Sequence, residues 1–577
     1  MERLETKKIN GRVYYYYSCW GWRDGKCRRL WQKYLGSLQD IMKTLTGERD
    51  APVCAEVFQW GLPMAFWKEA IRAETVAIVD NLCPKRKQGF TTGQYLTVAA
   101  INRAIQPCSK RSMWDWFSRT VLRRVLSGVT EEAFVSQRFW DHMDRVGEKE
   151  GQQIWKRVFQ GVVRRESINA ESISYDGTNF YTFIDTFNSR CTIARRGKNK
   201  QGRENLRQVS YALFCSADGP LPMYYDIYEG NRNDAKQFPL MLKQFQDFFL
   251  ETTGQSCHAA NVTLVFDKGN NSQENFGWID RMPLSYVGSV KLDEHKELAG
   301  EANGSNRFII CQEPGLETTK AFRVRKTVYG KERVLVVTYN QHLFEAQWET
   351  VHNDMTRALE KLATVAARLD RWRMGVNRRG KKPTKEYVTR QVADILSRQH
   401  MKEVIRAEVR EEAGFLLLEY CSPEEEVERL KDTYLGKSIL VTDREDWEND
   451  RIIRAYRSQY LIEGVFKEMK DRSHGNWWPL HHWTDSKIRV HALYCTLALL
   501  FRGLMMRRLA RNGMPISLHK AMHELSQIQE VLNFFSVPEK KGRGRKKSTP
   551  VQVVLTRMSD FQEKMVAILG LKEQVPN

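Results

Sequence analysis

Three carboxylates in this sequence stand in settings where they could do chemistry. Asp176 closes the strand-like run Ser172–Asp176 within Tyr175-Asp176-Gly177-Thr178, and Asp267 closes Val262–Asp267 ahead of Lys268-Gly269-Asn270. In both places an apolar run gives way to small or polar residues, which leaves a carboxylate exposed and lets a ligand approach the backbone. An aspartate there can equally do no more than cap the following turn. Glu463 belongs to a helical pattern in which Tyr456, Gln459, Glu463, Lys467 and Lys470 recur at steps of three and four. Such steps place all five on one face of one helix, so that a carboxylate is flanked by a phenol, an amide and two ammonium groups. Leu461, Val465 and Met469 form the inward stripe. The plain alternative is a solvated face with an ordinary Glu463–Lys467 pair.

The elements that must position these groups follow from periodicity. Residues 1–50 read as a small β-rich module with a hairpin turning at Arg23-Asp24-Gly25, and 51–168 as a helical domain. From 169 to 300 come short strands, Ser172–Asp176, Val209–Cys215, Met223–Tyr228 and Val262–Asp267, with a helix over Asp234–Phe249; this order predicts a mixed α/β sheet. Residues 301–448 read as an α+β insertion with β alternation around Gly330-Lys331, a helix over Leu343–Trp372 and a strand over Phe415–Tyr420. The core resumes at 449–515. A helical tail, 516–577, carries a basic linker from Lys540 to Lys547. The fold class is therefore α/β and multidomain.

Composition narrows the partner. Lys and Arg number 91 against 70 Asp and Glu, a net charge of +21, which attracts polyanions, nucleic acid first among them. Eleven cysteines without C-x-x-C spacing fit a reducing, cytoplasmic setting without a zinc module. Ala492–Phe501, the most apolar run, is about half the ~20 residues of a membrane span, and no ATP-binding loop is evident. The stretch Arg103, Lys110, Arg111, Arg119, Arg123 and Arg124 is basic with Trp114, Trp116 and Phe117 interleaved. It is either a wet face over an aromatic core or a DNA-binding surface. A second basic loop holds Arg196, Lys198, Lys200 and Arg203. Trp477 and Trp478 could stack on bases, although indoles are more often core, and His481, His482 and His491 lack the companions of a metal site, so structural roles are expected.

Taken in order, these segments resemble the Asp/Asp/Glu transposases of the IS-four superfamily. That family's third block reads Y-x2-R-x3-E-x6-K; Tyr456, Glu463 and Lys470 match it, and Gln459 stands at the arginine position. YDGTNFY from Tyr175, GPLPMYYDIYEGNRND from Gly219, FDKGNNSQEN from Phe266, YVGSVK from Tyr286 and HHWTDSKIRVHALYCTLALL from His481 are similar to the family as well, and the resemblance covers nearly the whole chain. It implies a ribonuclease H-like core split by an insertion, with Asp176, Asp267 and Glu463 as the catalytic, metal-binding triad. Two Mg²⁺ ions, replaceable by Mn²⁺, would lie ~3.5–4 Å apart for cleavage and 3′-OH strand transfer. Tyr456, Lys470, Lys467 and, without arginine's fork, Gln459 would contact DNA phosphates. The implied partners are double-stranded DNA, as terminal repeats and target, and a second protomer in the DNA complex. A DNA-binding descendant without catalysis and a nuclease without joining are the competing readings. A tyrosine recombinase is disfavoured by the lack of an arginine–histidine set around Tyr456.

Overall fold

A computed structural model describes the chain apart from residues 1, 24–25, 46–51, 85–88, 199–201, 377–380, 472–474, 476, 536–550 and 575–577. The chain divides into two compact units, one of residues 1–64, 118–125 and 519–577, the other of 65–117 and 126–518. In the first unit, Glu2–Ile9, Arg12–Arg23 and Lys26–Gly36 form a three-stranded antiparallel sheet, one strand more than a hairpin; the expected turn falls largely outside the described residues. A second sheet pairs Gln529–Phe534 with Cys54–Gln59 on one side and Val551–Leu555 on the other. The C-terminal segment is thus more than a helical tail, because the β-branched run around Val553 finds pairing partners. The basic Lys540–Lys547 linker lies outside the described residues.

The second unit is built on one large sheet. Its strands are β1 (Ser172–Thr182), β2 (Arg195–Arg196), β3 (Arg207–Ser216), β4 (Leu221–Glu229), β5 (Thr263–Phe266), β6 (Ser285–Val290), β7 (Ile309–Ile310), β8 (Thr319–Val328), β9 (Lys331–Asn340) and β10 (Lys437–Thr442). They run in the order β7-β8-β9-β10-β6-β5-β1-β3-β2, with β4 also paired to β3. Only β1–β5 and β5–β6 are parallel. The central five, β4-β3-β1-β5-β6, are three antiparallel strands followed by two parallel ones, the ribonuclease H-like arrangement. All ten residues of β3 and all four of β5 are buried, as expected of strands covered on both faces.

The insertion is not wholly separate from this core. The β8–β9 hairpin turns at Tyr329 and Gly330, both at positive φ, the conformation that matches strand twist in a two-residue turn. Together with β10 it extends the catalytic sheet beyond β6. The remainder makes its own core, in which Leu362, Val388, Met401, Leu418 and Leu430 pack together.

Helices cover the sheet. Helix α1 (Asp234–Thr253) lies on the face that carries Tyr175 and Phe266, with Phe238 against both rings. The opposite face carries Val265 and Val287, which pack with Ile452, Ile453 and Ala455 of α2 (Asn449–Arg457). Helix α3 (Gln459–Lys470) follows at once. Helix α4 (Asp485–Arg511) is long and apolar enough to cross a membrane by length and composition, but its most apolar stretch is buried inside this unit.

Candidate active site

Strand register brings the two aspartates together. Parallel β1 and β5 pair Ser174 with Val265 and Tyr175 with Phe266. Asp176 and Asp267 are therefore the next residues on adjoining strands, whose spacing is about 4.8 Å. Side chains alternate along a strand, so Asp267 shares the face of Val265, which is the α2 face. On β1 the same face carries Asp176, Thr178 and Phe180. On β6 it carries Ser289, two residues beyond Val287.

The covering helices complete the arrangement. Tyr456 of α2 donates its hydroxyl to Ser289 Oγ at 2.8 Å. Burial pushes this phenol above its ordinary value, and the nearby charges of Asp267 and Glu463 push the same way, so the phenol stands in the field of both carboxylates. On α3, Lys470 Nζ donates to Thr178 Oγ1 at 2.5 Å, two residues along β1 from Asp176. Asp176 accepts from the Gly177 amide at 2.7 Å. Asp267 begins the short turn Lys268–Asn270 without capping it through its side chain. Among the described residues, the side chains of Asp267 and Glu463 enter no hydrogen bond or ion pair, so the ordinary Glu463–Lys467 pair is not formed either.

Several sequence expectations change here. The five-residue face does not lie on one helix, because the chain steps out of α-helix at Ser458, whose amide is shared between the carbonyls of Arg454 and Ala455. Glu463 and Lys467 are exposed on α3, together with Tyr460, but Gln459 is 8% exposed and does not join that face as a phosphate contact. A Cβ at Gly177 would face Tyr228 and Asp234. Its smallness therefore opens the α1 face, not the side of the carboxylates. Ser289 was missed, although it sits inside the YVGSVK segment.

The basic and aromatic candidates separate too. Arg103 is 2% exposed and donates to the carbonyls of Trp478, Cys108 and Pro479 at 2.8, 3.2 and 3.4 Å, an internal brace where a DNA contact was expected. Lys110 is also buried, with its ammonium 3.3 Å from the Tyr494 hydroxyl and 4.3 Å from that ring's centre; burial lowers its pKa to about 7. Arg111 is exposed in the second unit, whereas Arg119 and Arg123 are exposed in the first. Arg196 and Lys198 are exposed, Arg203 lies 4.8 Å from the Tyr181 ring centre, and Lys200 falls outside the described residues. Trp477 is fully buried and stacked on Phe180 at 4.3 Å, a core residue that offers no base a face. Trp478 is half-buried and stacks on Tyr181. His482 and His491 are buried, and burial holds both well below the usual imidazole value, in keeping with structural roles.

The donor set suits a hard divalent cation, since Asp176, Asp267 and Glu463 offer only carboxylate oxygens. Among the described residues no three His, Cys, Asp or Glu side chains stand close enough to hold one ion. Asp176, Asp267 and Glu463 therefore do not converge as a three-carboxylate group in this structure.

The large sheet is ribonuclease H-like, with Asp176 on β1 and Asp267 just after β5 adjoining in register and Glu463 on α3. Residues 173–501 match the Transposase DDE domain, and the chain belongs to that family. No curated protein matches it by sequence. Among solved structures, it is similar to the piggyBac transposase synaptic complex with hairpin DNA, at 10% identity and a TM-score of 0.37 over 81% of this chain and 79% of that one. It is also similar to the Mos1 transposase paired-end complex with the left transposon end, at 9% identity and a TM-score of 0.15 over 35% of this chain and 60% of that one.

Proposed function

We propose that this protein is a cut-and-paste DNA transposase of an insertion sequence, which hydrolyses phosphodiesters at the element's ends and joins the freed 3′-OH to target DNA. One observation carries the reading: Asp176 and Asp267 are neighbours by parallel register, and Asp267 and Glu463 both act on the Tyr456 phenol while their side chains have no hydrogen-bond or ion-pair partner among the described residues. Carboxylates kept without partners are suited to ligands from outside.

Asp176, Asp267 and Glu463 would hold Mg²⁺, or Mn²⁺ in its place. When bound, the metal supplies charge that activates the attacking oxygen and stabilises the leaving one. Lys470, on Thr178, is positioned to neutralise a phosphate beside the scissile bond, and Lys467 offers a second cation on the open face of α3. Tyr456 fixes α2 to β6 through Ser289 and keeps its ring beside the carboxylates. The net charge of +21 supports double-stranded DNA as the partner, pairing of two ends calls for two protomers, and eleven unpaired cysteines are compatible with a bacterial cytoplasm.

A second reading, a DNA-binding descendant without catalysis, is favoured by the absence of a converged three-carboxylate group among the described residues and by the buried Gln459 at the arginine position. The two part on supercoiled DNA carrying the element's own ends, incubated with Mg²⁺ or Mn²⁺. Wild type should cut and join and Glu463→Gln should not. Binding of the ends by both proteins, with no cutting by either in either metal, selects the second reading.

A further inference from the structure

The loop that follows the catalytic strand presents bare aromatic surface from a rigid frame. Phe187 is 92% exposed and Phe183 is 70% exposed. Single exposed apolar side chains are unremarkable on mobile surface, but this turn is held from beneath. The buried Arg207 guanidinium donates to the carbonyls of Ala194, Asp185 and Asn188 at 2.7, 2.8 and 3.0 Å, and to that of Cys191. Asp185 Oδ1 accepts the Phe187 amide at 2.7 Å, and Arg196 donates to Thr186 Oγ1 at 2.8 Å. The backbone that carries the ring is therefore held in place, which lowers the entropic cost of ordering the turn on docking.

What surrounds the ring identifies its occupant. Residues 183–207 contain seven Lys or Arg against two acids, a charge suited to a nucleic-acid backbone. A cleft of about 480 Å³ opens beside Phe187 between Thr186, Asn188, Arg195 and Arg196. From Phe183 an aromatic series runs inward through Tyr181, at 5.7 Å, to Trp478, at 4.6 Å. Six strand residues separate Asp176 from Thr182, about 20 Å of β1, or about six nucleotides at 3.4 Å each.

We propose that the Asp185–Asn188 turn is a stacking wedge, in which Phe187, backed by Phe183, receives unpaired or unstacked DNA bases several nucleotides from the reacting phosphodiester. The proposal rests on the reading of this chain as a DNA enzyme. It places base stacking on residues other than the two tryptophans the sequence singled out. Aromatic contacts of this kind are sequence-tolerant and worth about 1–3 kcal/mol per base, and apolar wedges of this size open base steps in other DNA-bending proteins.

The test uses the full chain without divalent metal and two fluorescent probes, a 40-base-pair duplex of arbitrary sequence and the same duplex with a central bulge of three unpaired thymines. Wild type should prefer the bulged duplex by about tenfold. Phe187→Ala should remove that preference while leaving perfect-duplex affinity and its salt dependence unchanged, since phosphate contacts set both. Phe187→Trp should retain it. An undiminished preference in Phe187→Ala, or none in wild type, overturns the wedge alone. Loss of self-association by Phe187→Ala in sedimentation, with base preference intact, reassigns the surface to a second copy of this chain. No binding of either probe by wild type overturns the DNA-enzyme reading and the wedge with it.

Discussion

Two groups of charged residues in the second unit invite comparison. Asp267, just after β5, and Glu463, on α3, have side chains with no hydrogen-bond or ion-pair partner among the described residues. Around α4, Arg103, Lys110, His482 and His491 are buried and enclosed by carbonyls, rings and hydroxyls, with His491 Nε2 donating to the Trp477 carbonyl and Nδ1 accepting from the Tyr494 hydroxyl. In the sequence the two carboxylates and the basic pair Arg103 and Lys110 look like functional chemistry, whereas structural roles are expected of the histidines. The fold leaves the first open to ligands and uses the second to tie the segment Trp478–Pro479 to the helix Thr92–Ile105. A charge without a partner inside the protein is the better mark of a site.

The comparison breaks most readily at the carboxylates. Asp267→Asn and Glu463→Gln should each lower strand cleavage by about 10³-fold or more, the effect of losing several kcal/mol of metal-supplied stabilisation. Neither should lower the melting temperature, because no internal bond is lost. A drop of several degrees in melting with only a mild loss of cleavage would return these residues to structural roles.

Arg103→Leu should show the reverse. It abandons three buried carbonyl acceptors, each hydrogen bond worth about 1 kcal/mol, so a loss of about 3 kcal/mol is expected in urea denaturation. DNA affinity of the folded fraction, and its salt slope, should stay the same. A shallower salt slope with unchanged stability would make Arg103 a phosphate contact after all.

Much of this was legible in the sequence, and the misses share a cause. Apolar runs located β1, β3, β4 and β5 to within a few residues, except that β1 continues six residues past Asp176 to Thr182. Local composition holds no information on register, so the adjacency of Asp176 and Asp267 became visible only with the parallel pairing of β1 and β5. The step at Ser458 was hidden because α2 and α3 both keep helical spacing. Arg103 and Lys110 looked like a wet face since their long stems fit an amphipathic pattern whether or not the head is exposed. The insertion looked separate because its β8–β9 hairpin carries no mark of the sheet it joins.

Gln459 sharpens the contrast at one position. In the resembling block an arginine stands here, yet this side chain is 8% exposed at the start of α3. Gln459→Arg should therefore bury a cation without a partner, lowering stability by about 2 kcal/mol, with no gain in cleavage. Increased cleavage and unchanged melting would mean that the residue turns outward in the working enzyme.

The smallest effect belongs to Lys110, and its sign follows from linkage. Burial, aided by the Arg103 charge, lowers the folded pKa to about 7 from an ordinary 10.5. Below pH 7 the lysine is protonated both folded and unfolded and contributes no pH dependence. Above pH 7 the unfolded chain holds the extra proton, so stability should rise with pH towards 10.5, by at most about 1.4 kcal/mol per pH unit. Neighbouring groups titrate elsewhere. His482 is held well below the usual imidazole value, whereas burial raises Cys108, Cys495 and Tyr494. The interval from pH 7 to 8.5 therefore isolates Lys110. Across it, the difference in melting temperature between wild type and Lys110→Met should shift in favour of wild type as pH rises. A difference that stays flat would mean that the ammonium keeps its charge in the folded protein, held by an anion or water that the buried cluster admits, and the division between open carboxylates and closed cations would fail at this residue.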